Sequence, residues 1–280
     1  MKAFRFIGMV LFAILMCVNF ASCSSSGDDP TEKPEKEEEK EEEIVDQGKK
    51  LLEMTEERST GLIRYKFSYD NKGKLNQLTW ESVKEDGEVT PLAKYLYKWS
   101  DNQIVITTDN SSEFKCTCNL KNNLITSIEN INYISPLSQQ NYTITYDNNQ
   151  VMSEFKYGNQ SQDLIVHNTY KSSYFTEITK EGYFIEYKIE HKQNAPNHSW
   201  IDFESLNMDS LPLYLRCLIL AHSNLLGESY RFNLPKKIAA ENAPDYWNFT
   251  FNTDNEKYVE KCKISTQYNK DVTTYTYKWE

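Results

Sequence analysis

The chain has 280 residues, and its 31 Lys and Arg stand against 41 Asp and Glu, a formal net charge of −10. No basic surface can be built from that balance, which removes nucleic-acid binding from the readings. The acids are unevenly spread, so the chain is best taken from its beginning.

Lys2 and Arg5 precede an almost unbroken apolar run from Phe6 to Val18, and no acid occurs before Asp28. Asn19 ends the run, and Phe20-Ala21-Ser22-Cys23 follows. A basic start, an apolar run and small residues at its end predict a secretory signal peptide over residues 1–22. The run falls short of the about 20 apolar residues that a spanning helix needs. Ala21-Ser22-Cys23 resembles the lipobox of bacterial lipoproteins, with Phe20 where Leu is usual. That resemblance implies cleavage after Ser22 and acylation of Cys23 on its thiol and its new amino group. Two or more acyl chains anchor stably where one binds reversibly, so the membrane is the expected partner, reached through Cys23. A plain secreted protein is the alternative. Ser24-Ser25-Ser26-Gly27-Asp28-Asp29 resembles the surface-export signal of Bacteroidota lipoproteins. It implies an outer-membrane location exposed on the cell surface, with a periplasmic face as the alternative.

Residues 23–46 read as the lipidated N-terminus and an acidic tether. Between Asp28 and Asp46 there are three lysines against eleven acids, a net charge of −8. Such a segment cannot bury enough apolar surface to offset its ordering entropy, so a disordered, extended spacer is expected. Setting aside Lys2, Arg5 and the tether leaves 26 bases and 30 acids from residue 47 onward. The folded part is therefore nearly balanced, and the overall acidity says little about a ligand.

Residues 47–280 read as one all-β domain. Ile63, Tyr65, Phe67 and Tyr69 alternate with Arg64, Lys66 and Ser68; Tyr142, Ile144 and Tyr146 alternate with Thr143 and Thr145; Tyr183, Ile185, Tyr187 and Ile189 alternate with Phe184, Glu186 and Lys188. A period of two marks half-buried strands. Turn signals separate them at Asp70-Asn71-Lys72-Gly73, Asp86-Gly87, Asp101-Asn102, Lys121-Asn122-Asn123, Asp147-Asn148-Asn149, Gly158-Asn159, Glu181-Gly182 and Asn269-Lys270-Asp271. The expected fold is a large antiparallel meander of hairpins curling into a barrel-like or shell-like sheet. A closed barrel and an open curved sheet both satisfy the pattern.

A strand–turn–strand unit recurs. Tyr69-Asp70-Asn71-Lys72-Gly73-Lys74-Leu75 is the fullest copy and Tyr146-Asp147-Asn148-Asn149-Gln150-Val151 the second. Trp99-Ser100-Asp101-Asn102-Gln103-Ile104 and Phe251-Asn252-Thr253-Asp254-Asn255 are weaker. An aromatic ends one strand, Asp or Asn caps the turn, Gly or Asn takes the left-handed position, and an aliphatic residue re-enters the core. The unit resembles the tyrosine–aspartate repeat of wrapping β-sheet shells. With Cys23 and the late blocks Leu211-Pro212-Leu213, Asn233-Leu234-Pro235-Lys236-Lys237-Ile238 and Phe249-Thr250-Phe251, residues 60–280 resemble an uncharacterised Bacteroidota lipoprotein family, a domain of unknown function with a porin-like β fold. The resemblance implies a fold and a location, and no activity.

Leu211 to Leu220 breaks the alternation and is apolar nearly all round. It predicts a short buried helix near 211–222, with Pro212 in the first turn and Asp209 or Ser210 as cap. A buried central strand is the alternative.

Few residues point to chemistry. Cys116, Cys118, Cys217 and Cys262 are expected to pack as small hydrophobes; a disulfide such as Cys118–Cys262 is the alternative, since an exported compartment allows one. His167, His191, His198 and His222 show no paired ligand spacing, and neither a metal site nor a cofactor is expected. No nucleophile elbow, phosphate loop or dinucleotide fingerprint occurs, so no catalytic residue is assigned. Trp80, Trp99, Trp200, Trp247 and Trp279, among 19 tyrosines, are either core or a binding platform for sugar rings or an apolar ligand. Three functional readings follow in order: a monomeric surface module binding a glycan, lipid or host macromolecule; a hydrolase; and a structural envelope component. A transmembrane porin is not expected, because the strands alternate with Lys, Glu and Asp on the outer face.

Overall fold

The structure is a computed structural model that describes residues 48–58, 61–109, 115–132, 139–159, 165–171, 174–179, 184–193, 195, 197, 211–228, 233–240, 246–266 and 272–280. The signal segment, Cys23, the tether, Trp200, His198, Asp209, Ser210, and the expected turns at Glu181-Gly182 and Asn269-Lys270-Asp271 lie outside the described residues.

Sixteen strands are found among the described residues, in chain order β1 (Leu51–Arg58), β2 (Gly61–Tyr69), β3 (Leu75–Val83), β4 (Val89–Trp99), β5 (Gln103–Thr108), β6 (Lys115–Lys121), β7 (Leu124–Asn132), β8 (Gln139–Tyr146), β9 (Met152–Asn159), β10 (Ile165–Lys171), β11 (Tyr174–Thr179), β12 (Phe184–His191), β13 (Pro235–Ala240), β14 (Tyr246–Thr253), β15 (Val259–Thr266) and β16 (Val272–Trp279). Each pairs antiparallel with its chain neighbours, and β1 pairs with β16, so the meander closes into a barrel. The seam is completed where Lys50 and Glu280 exchange both backbone N–H···O bonds. Closure leaves no sheet edge to template association.

Because the strands alternate in direction, the barrel has two distinct ends. One carries the turns at 70–74, 100–102, 122–123, 147–151 and 254–258, together with Lys50 and Glu280. The other carries the 84–88 turn and strand ends such as Val83, Val89 and Thr108.

The turns at the first end share one design. In 70–74, 147–151 and 254–258 the leading Asp accepts two backbone N–H bonds on its own Oδ1: Asp70 from Lys72 and Lys74, Asp147 from Asn149 and Val151, Asp254 from Glu256 and Tyr258. The fourth position is left-handed each time, held by Gly73 (φ 74°), Gln150 (φ 60°) and Lys257 (φ 72°). Thus Gly or Asn is not required there, and the late copy is centred on Asp254 with Thr253 in the aromatic's place. The Trp99 copy turns differently, with Ser100 N–H donating to Gln103 O at 2.9 Å. Asn122 and Asn123, both at positive φ, make the two-residue hairpin of β6–β7. Gly158-Asn159 is not a turn but the end of β9.

The aromatics that lead three of the repeat copies, and Trp279 at the end of β16, each act on the hairpin that they end. Tyr69 OH donates to Leu51 O (2.8 Å), Trp99 Nε1 to Leu75 O (2.8 Å), Tyr146 OH to Ile125 O (2.7 Å) and Trp279 Nε1 to Val259 O (2.7 Å). Each bond staples the open end of a hairpin, in the pairs β1–β2, β3–β4, β7–β8 and β15–β16.

A sheet of sixteen strands encloses more volume than its own side chains fill. The remainder is supplied, at the end with the Asp turns, by α1 (Leu213–Ala221) and the 3-10 turn Ser223–Leu226. Tyr214, Leu215, Cys217, Leu218, Ile219 and Leu220 are buried, which explains a helix apolar on nearly every side. The strand alternative for this segment is overturned. Pro212 is the N-cap residue and makes no side-chain capping bond, and the expected Asp209 or Ser210 cap lies outside the described residues. The core runs through Leu51, Leu75, Ile104, Ile125, Met152, Ile238 and Val259 to the plug. Burying one such side chain contributes about 1.5–3 kcal/mol.

The outward face is polar. Arg64 and Lys66 meet Glu81, Lys278 meets Glu53, and Lys156 meets Glu154. Arg or Lys on a lipid-facing barrel surface costs about 2–4 kcal/mol at mid-membrane, so these strands are built to face water. No helix of the described residues is long and apolar enough to cross a membrane.

Candidate functional site

The plug sits at one end of the barrel. Tyr97 OH donates to Tyr214 O at 2.9 Å, and the Tyr95 and Tyr214 rings stack at 4.8 Å. These contacts hold the N-terminal end of α1 against the inner part of β4. Its C-terminal end meets the last residue of β4, where His222 lies edge-on to Trp99 at 4.9 Å and to Tyr69 at 6.0 Å. His222 is buried and accepts the Leu75 N–H on Nε2 at 2.9 Å. Burial drives its pKa down to about 4. Tyr146 OH also reaches Leu225 O at 3.3 Å, and Glu228 N–H donates to Gln150 O at 2.9 Å. The plug is therefore bonded to three hairpins.

Burial along the inward rows changes with depth. Near the plug, inward residues such as Leu51, Leu75, Ile104, Cys118, Ile125 and Met152 are fully buried. Toward the other end the same rows reach Glu56, Trp80, Tyr95, Thr108, Tyr157, Tyr187, Trp247 and Tyr275, all half-buried. The aromatic members still pack against the core cluster. Aromatic residues from β3, β4, β9, β12, β14 and β16 thus face inward at the end opposite the plug, the mouth. Tyr187 and Trp247 lie 6.2 Å apart, and Tyr157 packs on Tyr142 at 5.6 Å.

The four tryptophans among the described residues therefore sort into two pairs. Trp99 and Trp279 staple hairpins at the plugged end. Trp80 and Trp247 line the mouth, and Trp80 Nε1 is buried without a hydrogen-bond partner among the described residues. Arg216 Nε on α1 shares that condition. Sequence reasoning could not separate the two pairs, because alternation marks all four as inward without saying what each meets at its depth.

The other candidates are structural. Cys116, Cys118, Cys217 and Cys262 are buried thiols, none in a disulfide, which sets aside the Cys118–Cys262 alternative. Burial pushes the Cys217 thiol up to about 12. A hydrogen bond with Cys116, then burial, raises Cys118 well above the usual thiol range. His191 Nδ1 sits 2.6 Å from Asn233 O, and the His167 side chain lies outside the description. No group of three His, Cys, Asp or Glu that could hold a metal occurs among the described residues. The carboxylates with shifted acidity sit outside the lumen. Burial opposes the shift at Glu81, but hydrogen bonds from Arg64 and Lys66 outweigh it and lower the pKa. Asp254 is lowered by its hydrogen bond from Lys49 at the plugged end.

A closed antiparallel barrel plugged at one end by its own helix defines the fold class, and solved structures resemble its fold. A porin-like protein from Bacteroides uniformis ATCC 8492 matches with a TM-score of 0.64 at 15% identity, over 83% of this chain and 98% of its own. A porin-like protein from Bacteroides vulgatus ATCC 8482 matches with a TM-score of 0.56 at 11% identity, over 83% and 99%. At these identities the likeness is one of fold. No protein-family profile matches the sequence, and no curated protein does.

Proposed function

We propose that the protein is an envelope lipoprotein, acylated on Cys23 and carried on the outer membrane at the cell surface. Its barrel is a binding module that takes ligand through the aromatic mouth. The observation that carries the binding reading is the passage of the inward rows from buried to half-buried, ending on Trp80, Tyr95, Tyr157, Tyr187, Trp247 and Tyr275. Concave, mostly aromatic surfaces with a few polar groups are what ligand sites are made of. The anchoring reading rests on Ala21-Ser22-Cys23 behind the apolar run. It agrees with the geometry of the barrel's first described residues: Lys49 is held by Asp254 and Glu256 at 2.6 and 3.0 Å, so the described chain enters the barrel at the plugged end.

Binding is tested by titrating the mature protein with polysaccharides and lipids while recording tryptophan fluorescence. A saturable change that Trp247→Ala abolishes and Trp279→Phe preserves supports the mouth. A flat response across the panel removes the binding reading and leaves the structural one. Anchoring is tested by labelled palmitate incorporation, which Cys23→Ala should abolish, and surface exposure by protease treatment of whole cells.

A further inference from the structure

Within the mouth, one row differs from the others. Met54 on β1, Tyr65 on β2, Trp80 on β3 and Ala93 on β4 are successive cross-strand partners. Tyr65 stacks on Trp80 at 6.3 Å with 23° between the rings, so one side of the indole is occupied. On the other side the neighbour is Ala93, a single methyl where a larger residue would cover the ring. The Trp80 N–H, buried and lacking a partner among the described residues, sits in this same row. One step nearer the mouth on the inward face is Glu56, whose Oε2 lies 3.4 Å from Tyr65 OH. A lone buried donor costs free energy unless something accepts from it.

We propose that Trp80, Ala93 and Glu56 form a subsite for a neutral sugar ring, with the fully buried Tyr65 backing the indole. This rests on the binding reading of the mouth and names its ligand class. The C–H face of a pyranose stacks on the indole over Ala93. A ring or hydroxyl oxygen accepts the Trp80 N–H, and a neighbouring hydroxyl donates to the Glu56 carboxylate. Among the described inward residues of the mouth the charged group is an acid, which disfavours an anionic ligand. A fatty chain would leave the indole N–H unanswered.

The test titrates the full mature protein with neutral gluco-, manno-, galacto-, xylo- and N-acetylglucosamine oligosaccharides, by calorimetry and tryptophan fluorescence. At least one series should bind saturably. Trp80→Ala should weaken it at least about tenfold, a loss of about 1.4 kcal/mol. Trp80→Phe, which keeps the ring and removes the donor, should cost less than Trp80→Ala. Ala93→Leu, an addition at a half-buried position that leaves every hydrogen bond in place, should weaken binding as strongly as Trp80→Ala. Binding that survives Trp80→Ala and Ala93→Leu but is lost in Trp247→Ala overturns the subsite and keeps the mouth. Binding of lipid with none of the sugars overturns the ligand class alone. No binding of sugar or lipid overturns both.

Discussion

His222, at the end of the plug, accepts the backbone N–H of Leu75 on β3 through its Nε2 at 2.9 Å. The same Leu75 gives its carbonyl to Trp99 Nε1 on β4. One strand residue thus joins helix, β3 and β4, and the imidazole must be neutral to accept, with its proton on Nδ1. Burial lowers the pKa to about 4, Asp70 opposes this, and Lys74 and Lys50 add to it. The unfolded chain then binds the proton more readily than the folded one between about pH 6.5 and 4. Stability should be level above that window and fall by about 3 kcal/mol as pH drops through it. Denaturant melts from pH 7.5 to 4 check this, and His222→Gln should flatten the part of the slope that His222 supplies.

The hairpin staples are separable from the core. Tyr146→Phe removes the bond to Ile125 O and the longer one to Leu225 O, and keeps the ring. It should destabilise by about 1 kcal/mol, read as a lower urea midpoint with unchanged slope.

The left-handed turn positions offer a gain and a loss. Gln150 and Lys257 hold φ of 60° and 72° that glycine adopts without steric cost. Gln150→Gly and Lys257→Gly should each stabilise by about 1 kcal/mol, whereas Gly73→Ala should destabilise by a similar amount. Gly227→Ala should be worse, because a Cβ there would strike the Gln150 carbonyl oxygen that the plug uses. Thermal denaturation of the four variants ranks them.

The thiols should be inert. Burial and raised pKa values at Cys118 and Cys217 keep the nucleophilic thiolate scarce. In the folded protein Cys116, Cys118, Cys217 and Cys262 should resist an aromatic disulfide reagent at pH 8 and react together on unfolding. Rapid labelling of any one of them without denaturant would count against the packing described.

The hairpin meander was legible because its signals are local. Alternation in β2 and β8 follows from the pleat, and Asp70, Asp147 and Asp254 cap through bonds spanning two and four residues. The helix was legible for the same reason, since Leu211–Leu220 can be buried on all sides only inside the barrel. Gln150 and Lys257 were not, because neither side chain prefers the left-handed region and only the demand of the turn places them there.

By itself, then, the sequence determined the strands, most of the Asp-capped turns at one end and a helix that must be enclosed, all set by contacts a few residues apart. Tertiary structure alone decided closure, because the β1–β16 pairing joins residues more than 200 apart. It also decided which tryptophans staple and which line the mouth. Trp99 and Trp80 carry the same side chain, and only depth within the barrel leaves one hydrogen-bonded beside the plug and the other with its N–H buried and unanswered among the described residues.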